Sequence, residues 1–367
     1  MFLHTVKEGK NMSENYSVNV MMFGGRRCGK TSVLAAMQSS FEKSFGKGNL
    51  TISTADDDTM FTIEEKKREI NNYFIHKGQS REFVPDDTPT TEVMEYKFEI
   101  GLKHKSNGSI IVNFIDYPGE WLGNKENFSK IKDIMKKSNV VIVAIDTPYL
   151  MEQTHSDAEE AVGEFNDRRN YSERIGEMLK KNFELNNGIK MVLFVPLKCE
   201  KYLHEGKMPL VYKKVRKAYE TTFNYLDGNN KQKCIVAVTP IITFGCAEFQ
   251  RFERDENYNI ILDENYHLPK KALYIFTDTQ CTEPQSQYCE QPMVYILAYV
   301  FEMARRLKEN KANSSGFFSK FINWFEESFL DMPSADDYLL ELDNVKKAMK
   351  TDDAQAGYYL VNNPLRF

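Results

Sequence analysis

Residues 18–45 read VNVMMFGGRRCGKTSVLAAMQSSFEKSF. A strand-sized apolar run, Val18–Phe23, breaks at two glycines, and an amphipathic helix, Thr31–Phe45, follows. Between them Gly24 to Thr31 spells GGRRCGKT, which satisfies the phosphate-loop (P-loop) pattern G-x-x-x-x-G-K-[ST] in the strand–loop–helix setting that pattern requires. Gly24 and Gly29 let the backbone curl until successive N–H groups face one centre, a nest for phosphate oxygens. The helix N-terminus adds its partial positive charge. Lys30 is then placed to reach β- and γ-phosphates as a point charge, the Thr31 hydroxyl to hold Mg²⁺, and Ser32 to donate to the α-phosphate. A glycine turn that merely opens a helix has no use for the Lys30–Thr31 pair. The loop therefore predicts a nucleotide held by Gly24, Gly25, Arg26, Arg27, Cys28, Gly29, Lys30, Thr31 and Ser32.

Outward from the loop, short β-branched runs alternate with longer amphipathic stretches as far as about residue 308. Strands are expected at Val18–Phe23, Leu50–Ser53, Glu92–Leu102, Ser109–Asp116, Val140–Asp146, Lys190–Pro196 and Cys234–Thr239. Helices are expected at Thr31–Phe45, Met60–His76, Glu126–Lys137, Glu173–Leu185, Tyr212–Tyr225 and Met293–Leu307. This rhythm predicts an α/β fold, a mostly parallel sheet with helices on both faces. One pair departs from it. Met94, Tyr96, Phe98 and Ile100 alternate with Glu95, Lys97 and Glu99, and the turn-like stretch from His104 to Gly108 leaves no room for a crossover helix before Ser109. Those two strands form an antiparallel hairpin.

Residues 1–17 read as a loose leader, with Met12 an alternative start, and 18–309 as one P-loop domain. That domain carries insertions at about 149–171, expected as a polar surface helix and loop, and at about 246–271. Past the loop-like NKANSSG of Asn310–Gly316, residues 310–367 read as a helical C-terminal extension. In it Phe317, Phe318, Phe321, Ile322, Trp324, Phe325 and Phe329 make one broad aromatic face at helical spacing. The face either packs on the parent domain or docks a partner or membrane surface; the few Lys and Arg on its polar side weaken the membrane version.

The composition, 367 residues with 41% hydrophobic and 28% charged, is that of an ordinary globular protein. Forty-eight Lys+Arg against 53 Asp+Glu leave a net charge of −5 with no basic stripe, so nucleic-acid binding driven by charge is not expected. The longest apolar runs, such as Val140–Ile145 and Met191–Pro196, fall well short of the ~20 residues of a spanning helix. The first residues lack the apolar middle of a signal peptide. Cys28, Cys199, Cys234, Cys246, Cys281 and Cys289 form no CxxC pair, and the six histidines no HExxH. Neither a disulfide framework nor a zinc enzyme is expected, each cysteine reads as a small buried hydrophobe, and a reducing cytoplasm is the default compartment.

Strand Ser109–Asp116 runs into IDYPGEW. An Asp closing a buried strand beside a phosphate site is where a water-mediated Mg²⁺ ligand belongs. With Gly119 it makes D-x-x-G, in which the Gly119 N–H meets the γ-phosphate and loop position reports whether that phosphate is present. A P-loop, an antiparallel hairpin of the second and third strands, D-x-x-G and a later x-K-x-[DE] together resemble the translation-factor-related (TRAFAC) class of P-loop GTPases. The wording DYPGEW, PLKCEKY, VTPI and CEQPMVYIL is most similar to predicted bacterial double-GTPase-type proteins, over about residues 18–305.

The resemblance implies a Mg²⁺-dependent switch that binds and hydrolyses GTP and signals its GTP or GDP state to a protein partner. It places the switch I threonine in DDTPTTEV, where Thr91 or Thr90, less favourably Thr88, would join Thr31 and Asp116 around the metal. Its base-recognition motif [NT]-K-x-D falls on Leu197-Lys198-Cys199-Glu200. Lys198 would lay its stem along the purine and Glu200 would accept from guanine N–H groups, while the missing Asn or Thr removes a tether to the P-loop and leaves guanine over adenine open. The last motif would be Ala237-Val238-Thr239-Pro240, with backbone N–H groups meeting guanine O6. Glu120 stands where many such enzymes use a Gln to position water, so slow intrinsic hydrolysis is implied unless Arg27 offsets the carboxylate.

Arg26 and Arg27 read either as solvated side chains or, at Arg27, as an internal arginine finger by analogy with guanylate-binding proteins. Lys30, Arg27, Gly119 and Glu120 would then carry catalysis. GTPases with internal arginines often pair face to face, which leaves a homodimer open. Two other classes stay in view. One is a nucleotide-binding scaffold with negligible turnover. The other is a P-loop kinase or ATPase in which Arg168, Arg169 and Arg174 form a lid, a reading opposed by the antiparallel hairpin before Asp116.

Overall fold

VVIVAID, the strand Val140–Asp146, is buried at every position, and the sheet is built around it. The computed structural model describes residues 4–7, 14–45, 48–75, 82–85, 90–103, 109–153, 160–185, 188–227, 234–278, 280–309 and 335–366. In chain order the strands are β1 (His4–Lys7), β2 (Glu14–Phe23), β3 (Leu50–Thr54), β4 (Glu82–Phe83), β5 (Met94–Leu102), β6 (Ile110–Asp116), β7 (Val140–Asp146), β8 (Met191–Leu197), β9 (Ile235–Val238), β10 (Ala247–Phe252), β11 (Ala272–Phe276), β12 (Asp352–Asp353) and β13 (Tyr358–Asn362). The main sheet runs β12-β13-β9-β8-β7-β2-β6-β5-β3, with β1 antiparallel on the start of β2. Its centre, β6-β2-β7-β8-β9, is parallel, and β5 pairs antiparallel with β6 as expected from the short connection.

Alternation along β2 feeds two cores. Val18, Val20 and Met22 join Leu34, Met37 and Phe41 of helix α1 (Lys30–Phe45) on one face. Met21 and Phe23 join Ile131 and Met135 of the helix Phe128–Lys137 on the other. Register also positions the site. Met22 pairs with Asp116 and Asp146 with Leu197, so the loops after β2, β6, β7 and β8 leave the same end of the sheet side by side.

Five expectations need correction. The 1–17 leader contributes β1 and the start of β2, whose register runs from His4↔Ser17 to Lys7↔Glu14. The antiparallel part of the sheet exceeds one hairpin: β3 flanks β5, and the C-terminal β12–β13 pair extends the sheet beyond β9. The extension 310–367 is therefore not helical throughout. Its described part is a helix, Ala335–Ala348, followed by that hairpin. Tyr358–Asn362 is too short and too half-buried for periodicity to reveal. The 149–171 insertion is only partly a surface element: Tyr149, Leu150, Phe165, Asn166 and Asn170 are buried and the two asparagines bond each other, while Glu160, Glu164, Asp167 and Arg168 are exposed. Finally, Cys246 and Cys281 are joined by a disulfide at the base of β10–β11, whereas Cys28, Cys199, Cys234 and Cys289 are free and buried. Thr88, the turn at His104–Gly108 and the aromatic face Phe317–Phe329 lie outside the described residues. Among the described residues no helix is long and apolar enough to cross a membrane.

The second insertion forms a separate three-stranded sheet, β10-β11-β4, in which Phe83 of β4 pairs with Tyr274 of β11. Phe83 stacks on Phe276 with centroids 4.6 Å apart. β4, which precedes Thr90 in the chain, is thus held in this outer sheet, whose Ala272 and Tyr274 line a cleft with Arg26 and Arg27 of the phosphate loop.

The C-terminal helix Ala335–Ala348 docks on the helix Gln291–Glu309 through a charged knot. Glu302, 1% exposed, meets Arg305 at 2.6 Å, Arg306 at 2.9 Å and Lys346 at 3.1 Å. Burial alone would raise the Glu302 carboxyl, but the hydrogen bonds from Arg305, Arg306 and Lys346 outweigh it and bring it down to about 2. A carboxyl lowered in the folded state stabilises above its ordinary value of 4.5 and loses that contribution as pH falls through the folded one. Glu302→Gln is expected to lower the unfolding free energy at neutral pH by about 2 kcal/mol. Paired urea titrations at neutral and strongly acidic pH check this: the deficit should shrink as the wild-type carboxyl is protonated.

Candidate functional site

Lys30 opens α1, and its buried Nζ donates to the Gly24 carbonyl at 3.2 Å. It also lies 3.4 Å from Oδ1 of Asp116, whose side chain is fully buried at the end of β6. Burial by itself would lower the Lys30 ammonium, but Asp116 outweighs it and holds the group above its ordinary value. The other Asp116 oxygen, Oδ2, accepts from the Thr90 hydroxyl at 3.2 Å. Thr31 is hydrogen-bonded to the Tyr96 phenol, which burial and then Asp116 push up to about 12. Of the switch threonines, the structure brings Thr90 to Asp116, while Thr91 is exposed.

The loop itself is tightly folded. Gly29 takes φ +102°, in the region glycine favours. Gly119 backs directly onto the loop, such that a Cβ there would stand 2.3 Å from the Arg26 nitrogen. Gly24–Ser32, Thr90, Asp116 and Gly119 thus come together, with Arg26–Ser32, Thr90, Asp116 and Gly119 lining a cleft of about 370 Å³. Lys66, from the helix Asp57–Ile75, also lines it. No motif marks Lys66, which arrives from a helix packed against α1 and carries its own ion pair to Glu69 at 2.7 Å.

At the other end Lys198, at φ +58°, leaves β8 so that Nζ donates to the Arg27 carbonyl at 3.1 Å and to Asp146 Oδ2 at 3.2 Å. The same Oδ2 accepts from Arg169 Nε at 3.0 Å and Nη2 at 2.8 Å, and Nη2 also reaches the Arg27 carbonyl at 2.9 Å. Asp146 is the residue the sequence reading passed over. Its signal was present, since VVIVAID, like the strand before it, ends in a carboxylate at the loop end of the sheet.

Glu200 is 3% exposed, and burial raises its carboxyl. Its Oε1 accepts from the Phe244 amide at 3.1 Å and the Gly245 amide at 3.5 Å. Lys198, Glu200, Thr243, Phe244 and Tyr274 line a second cleft of about 430 Å³. The two clefts share Cys28, Gly29 and Ser32, so one groove runs from Asp116 to Glu200 along the start of α1. Thr239 is not brought there: its amide bonds to the Phe194 carbonyl at 2.9 Å and its hydroxyl is buried. The loop that borders the groove is Thr243–Phe244, further along the chain.

The arginines divide differently from expectation. Arg26, rather than Arg27, meets Glu120, at 2.9 Å. Arg27 takes φ +58° and contributes its carbonyl to Arg169 and Lys198, while its side chain is exposed at the groove. Arg169 is bound to Asp146, Arg174 to the Leu122 carbonyl and Arg168 to the His267 carbonyl at 3.1 Å. The three arginines proposed as a kinase lid are therefore held by three different elements.

A family model described as Double-GTPase 2 matches residues 19–206, just over half of the chain. No curated protein matches it. Among solved structures, the S. cerevisiae Ski7 GTPase-like domain is similar in two crystal structures, one bound to GTP and one to GDP and inorganic phosphate. Both are 12% identical, with TM-scores of 0.31 and 0.29, over 61% of this chain and 42% of that one. The chain thus spans less than half the length of those structures. The phosphate loop, the Asp116–Gly119 segment and the Lys198–Glu200 segment all fall inside the matched stretch, and the chain belongs to the Double-GTPase 2 family.

Proposed function

We propose that the chain is a Mg²⁺-dependent GTPase acting as a switch, with its triphosphate in the Gly24–Ser32 loop and its base against Lys198. The observation that carries this reading is Asp116 lying between Lys30 and Thr90 at the mouth of the loop. Thr31, Thr90 and Asp116 offer only oxygen atoms, a donor set that suits a small hard cation. Among the described residues no cluster of His, Cys, Asp and Glu competes as a metal site. Thr31, Thr90 and Asp116 would hold such a cation, which would supply positive charge against the charge that develops on the phosphate oxygens.

Lys30 would offset phosphate charge from inside the loop, and Gly119, which lines the cleft beside it, would offer its amide to the γ-phosphate. Cys28, Gly29 and Ser32 carry the nucleotide across to Lys198. Arg27, from the exposed edge, stands where an internal finger would act. A protein partner, in the cytoplasm, would read Thr90 and Asp116–Glu120, the segments that ordering around a γ-phosphate displaces.

Competition binding of GTP, GDP and ATP with and without Mg²⁺ tests base choice, γ-phosphate sensing and metal dependence together. GTP is expected to exceed ATP by at least tenfold, and loss of Mg²⁺ to weaken GTP more than GDP. Equal ATP and GTP affinity would remove the guanine assignment. Thr90→Ala is expected to weaken Mg²⁺-dependent GTP binding about tenfold, the scale of one charge-assisted contact, and to leave GDP binding within twofold. Equal losses for both nucleotides would show that Thr90 does not sense the γ-phosphate.

One observation favours the scaffold reading over rapid turnover. Glu120 is drawn to Arg26 of the loop at 2.9 Å, so its carboxylate is paired with an arginine instead of free to orient water. Time-resolved phosphate release separates the two, since fast release by the protein alone excludes a scaffold.

A further inference from the structure

We propose that the cleft between the 149–171 and 246–271 insertions is a second anion site, for a small organic phosphate, distinct from the nucleotide groove. This cleft, with about 890 Å³ of open space, lies on the outer side of the phosphate loop, where Arg26 and Arg27 meet Arg168, Tyr266, Lys270 and Tyr274. The nucleotide groove is continuous through Cys28, Gly29 and Ser32. None of those three residues lines the outer cleft. Between groove and cleft stands the wall made by Lys198 and Arg169 on the Arg27 carbonyl. Arg26, Arg27, Pro85, Lys198 and Tyr274 border both spaces, so a nucleotide held through Cys28, Gly29 and Ser32 would adjoin the cleft without having to enter it.

Charge then specifies the occupant. Arg169 and Lys198 share the single charge of Asp146, Arg26 is paired with Glu120 and Lys271 with Glu253. Arg27, Arg168 and Lys270 have no carboxylate partner among the described residues. The acid on the rim, Asp263, already accepts from the Asn265 and Tyr266 amides at 2.9 Å and 3.0 Å. Two polar atoms of lining residues are buried without a hydrogen bond, Arg26 Nε and the hydroxyl of Tyr274, a side chain only 3% exposed.

A surplus of guanidinium and ammonium groups beside such donors fits a phosphate, which Arg holds through paired N–H groups and Lys through a point charge. The phenol rings of Tyr266 and Tyr274 give an attached sugar or ring a flat apolar wall. An anion here also competes with Glu120 for Arg26. Ligand in the cleft and nucleotide in the groove are then coupled, each changing the other's affinity by the same factor.

The test titrates pyrophosphate, ribose 5-phosphate and AMP at physiological salt into protein saturated with a non-hydrolysable GTP analogue and Mg²⁺, and separately into Lys30→Ala protein. The analogue's own isotherm reports whether the groove reading holds, and the Lys30→Ala arm reports the cleft even if it does not. One equivalent of pyrophosphate is expected to bind in both arms, and AMP or ribose 5-phosphate at least as tightly, AMP marking a base-bearing ligand and ribose 5-phosphate a sugar phosphate. The exposed pair Arg168→Ala/Lys270→Ala is expected to weaken this binding at least tenfold with the analogue's affinity unchanged. No pyrophosphate binding in either arm, binding of neither organic phosphate, or unchanged affinity in the double variant would overturn the proposal.

Discussion

Lys30→Ala is expected to weaken GTP binding at least a hundredfold, from whatever affinity the wild type shows. Lys30 is the one ammonium that the helix start places inside the loop, 3.2 Å from the Gly24 carbonyl. A charge-assisted contact to phosphate in a buried setting contributes several kcal/mol. A hundredfold loss corresponds to about 2.7 kcal/mol, well inside that range. The same change strips Asp116 of its counter-ion, so part of the loss could come from an altered fold. Lys30→Arg separates the two effects. It keeps a positive charge beside Asp116 but replaces a compact ammonium with a planar fork that does not fit the curled loop. Its unfolding midpoint should stay near that of wild type while GTP affinity still falls at least tenfold. Retained wild-type GTP affinity in Lys30→Ala, measured by equilibrium fluorescence titration, would refute the groove.

What the sequence made legible follows the range of the interactions. The phosphate loop, α1 and the hairpin β5–β6 are written in contiguous residues, because glycine freedom, helix start and strand alternation are local physics. Asp116 beside Lys30 needed only the knowledge that strand ends meet at one edge of a parallel sheet. Pairings between distant segments were not legible. Phe83 pairs with Tyr274 and Arg169 reaches Asp146, yet nothing within either segment names its partner. The 149–171 stretch reads as surface because its residues are polar. Asn166 and Asn170 are nevertheless buried, bonded to each other at 2.9 Å, and Asn170 takes the Asp146 amide at 2.8 Å. Composition records which residues are polar but not whether they satisfy one another. The same limit explains Glu200, whose proposed role as a base acceptor comes from its motif and whose bonds to the Phe244 and Gly245 amides do not.

Asp146→Ala should be the most destabilising of these substitutions. The carboxylate is fully buried and is the shared counter-charge of Arg169 and Lys198, which approach the same oxygen at 2.8 Å and 3.2 Å. Burial lowers the Arg169 guanidinium and Asp146 now more than offsets this; without Asp146 the group still stays protonated, because arginine does not deprotonate in proteins, so deprotonation offers no escape. Removing the carboxylate leaves two cations in a desolvated site, each still held to the Arg27 carbonyl and now repelling the other. Breaking a buried pair from one side costs about 3–5 kcal/mol, a large share of the 5–15 kcal/mol that a domain has at all. Urea unfolding should show the loss as a lower midpoint. GTP affinity of the remaining folded protein should fall about tenfold as Lys198 is driven from its seat beside the groove. Asp146→Leu combined with Arg169→Met removes both charges with little change in volume, so much of the stability should return, while Lys198, still without a carboxylate, keeps the nucleotide affinity low. A single Asp146→Ala variant within 1 kcal/mol of wild type would mean that these cations are solvated in solution. The wall they form behind the phosphate loop would then have no electrostatic basis.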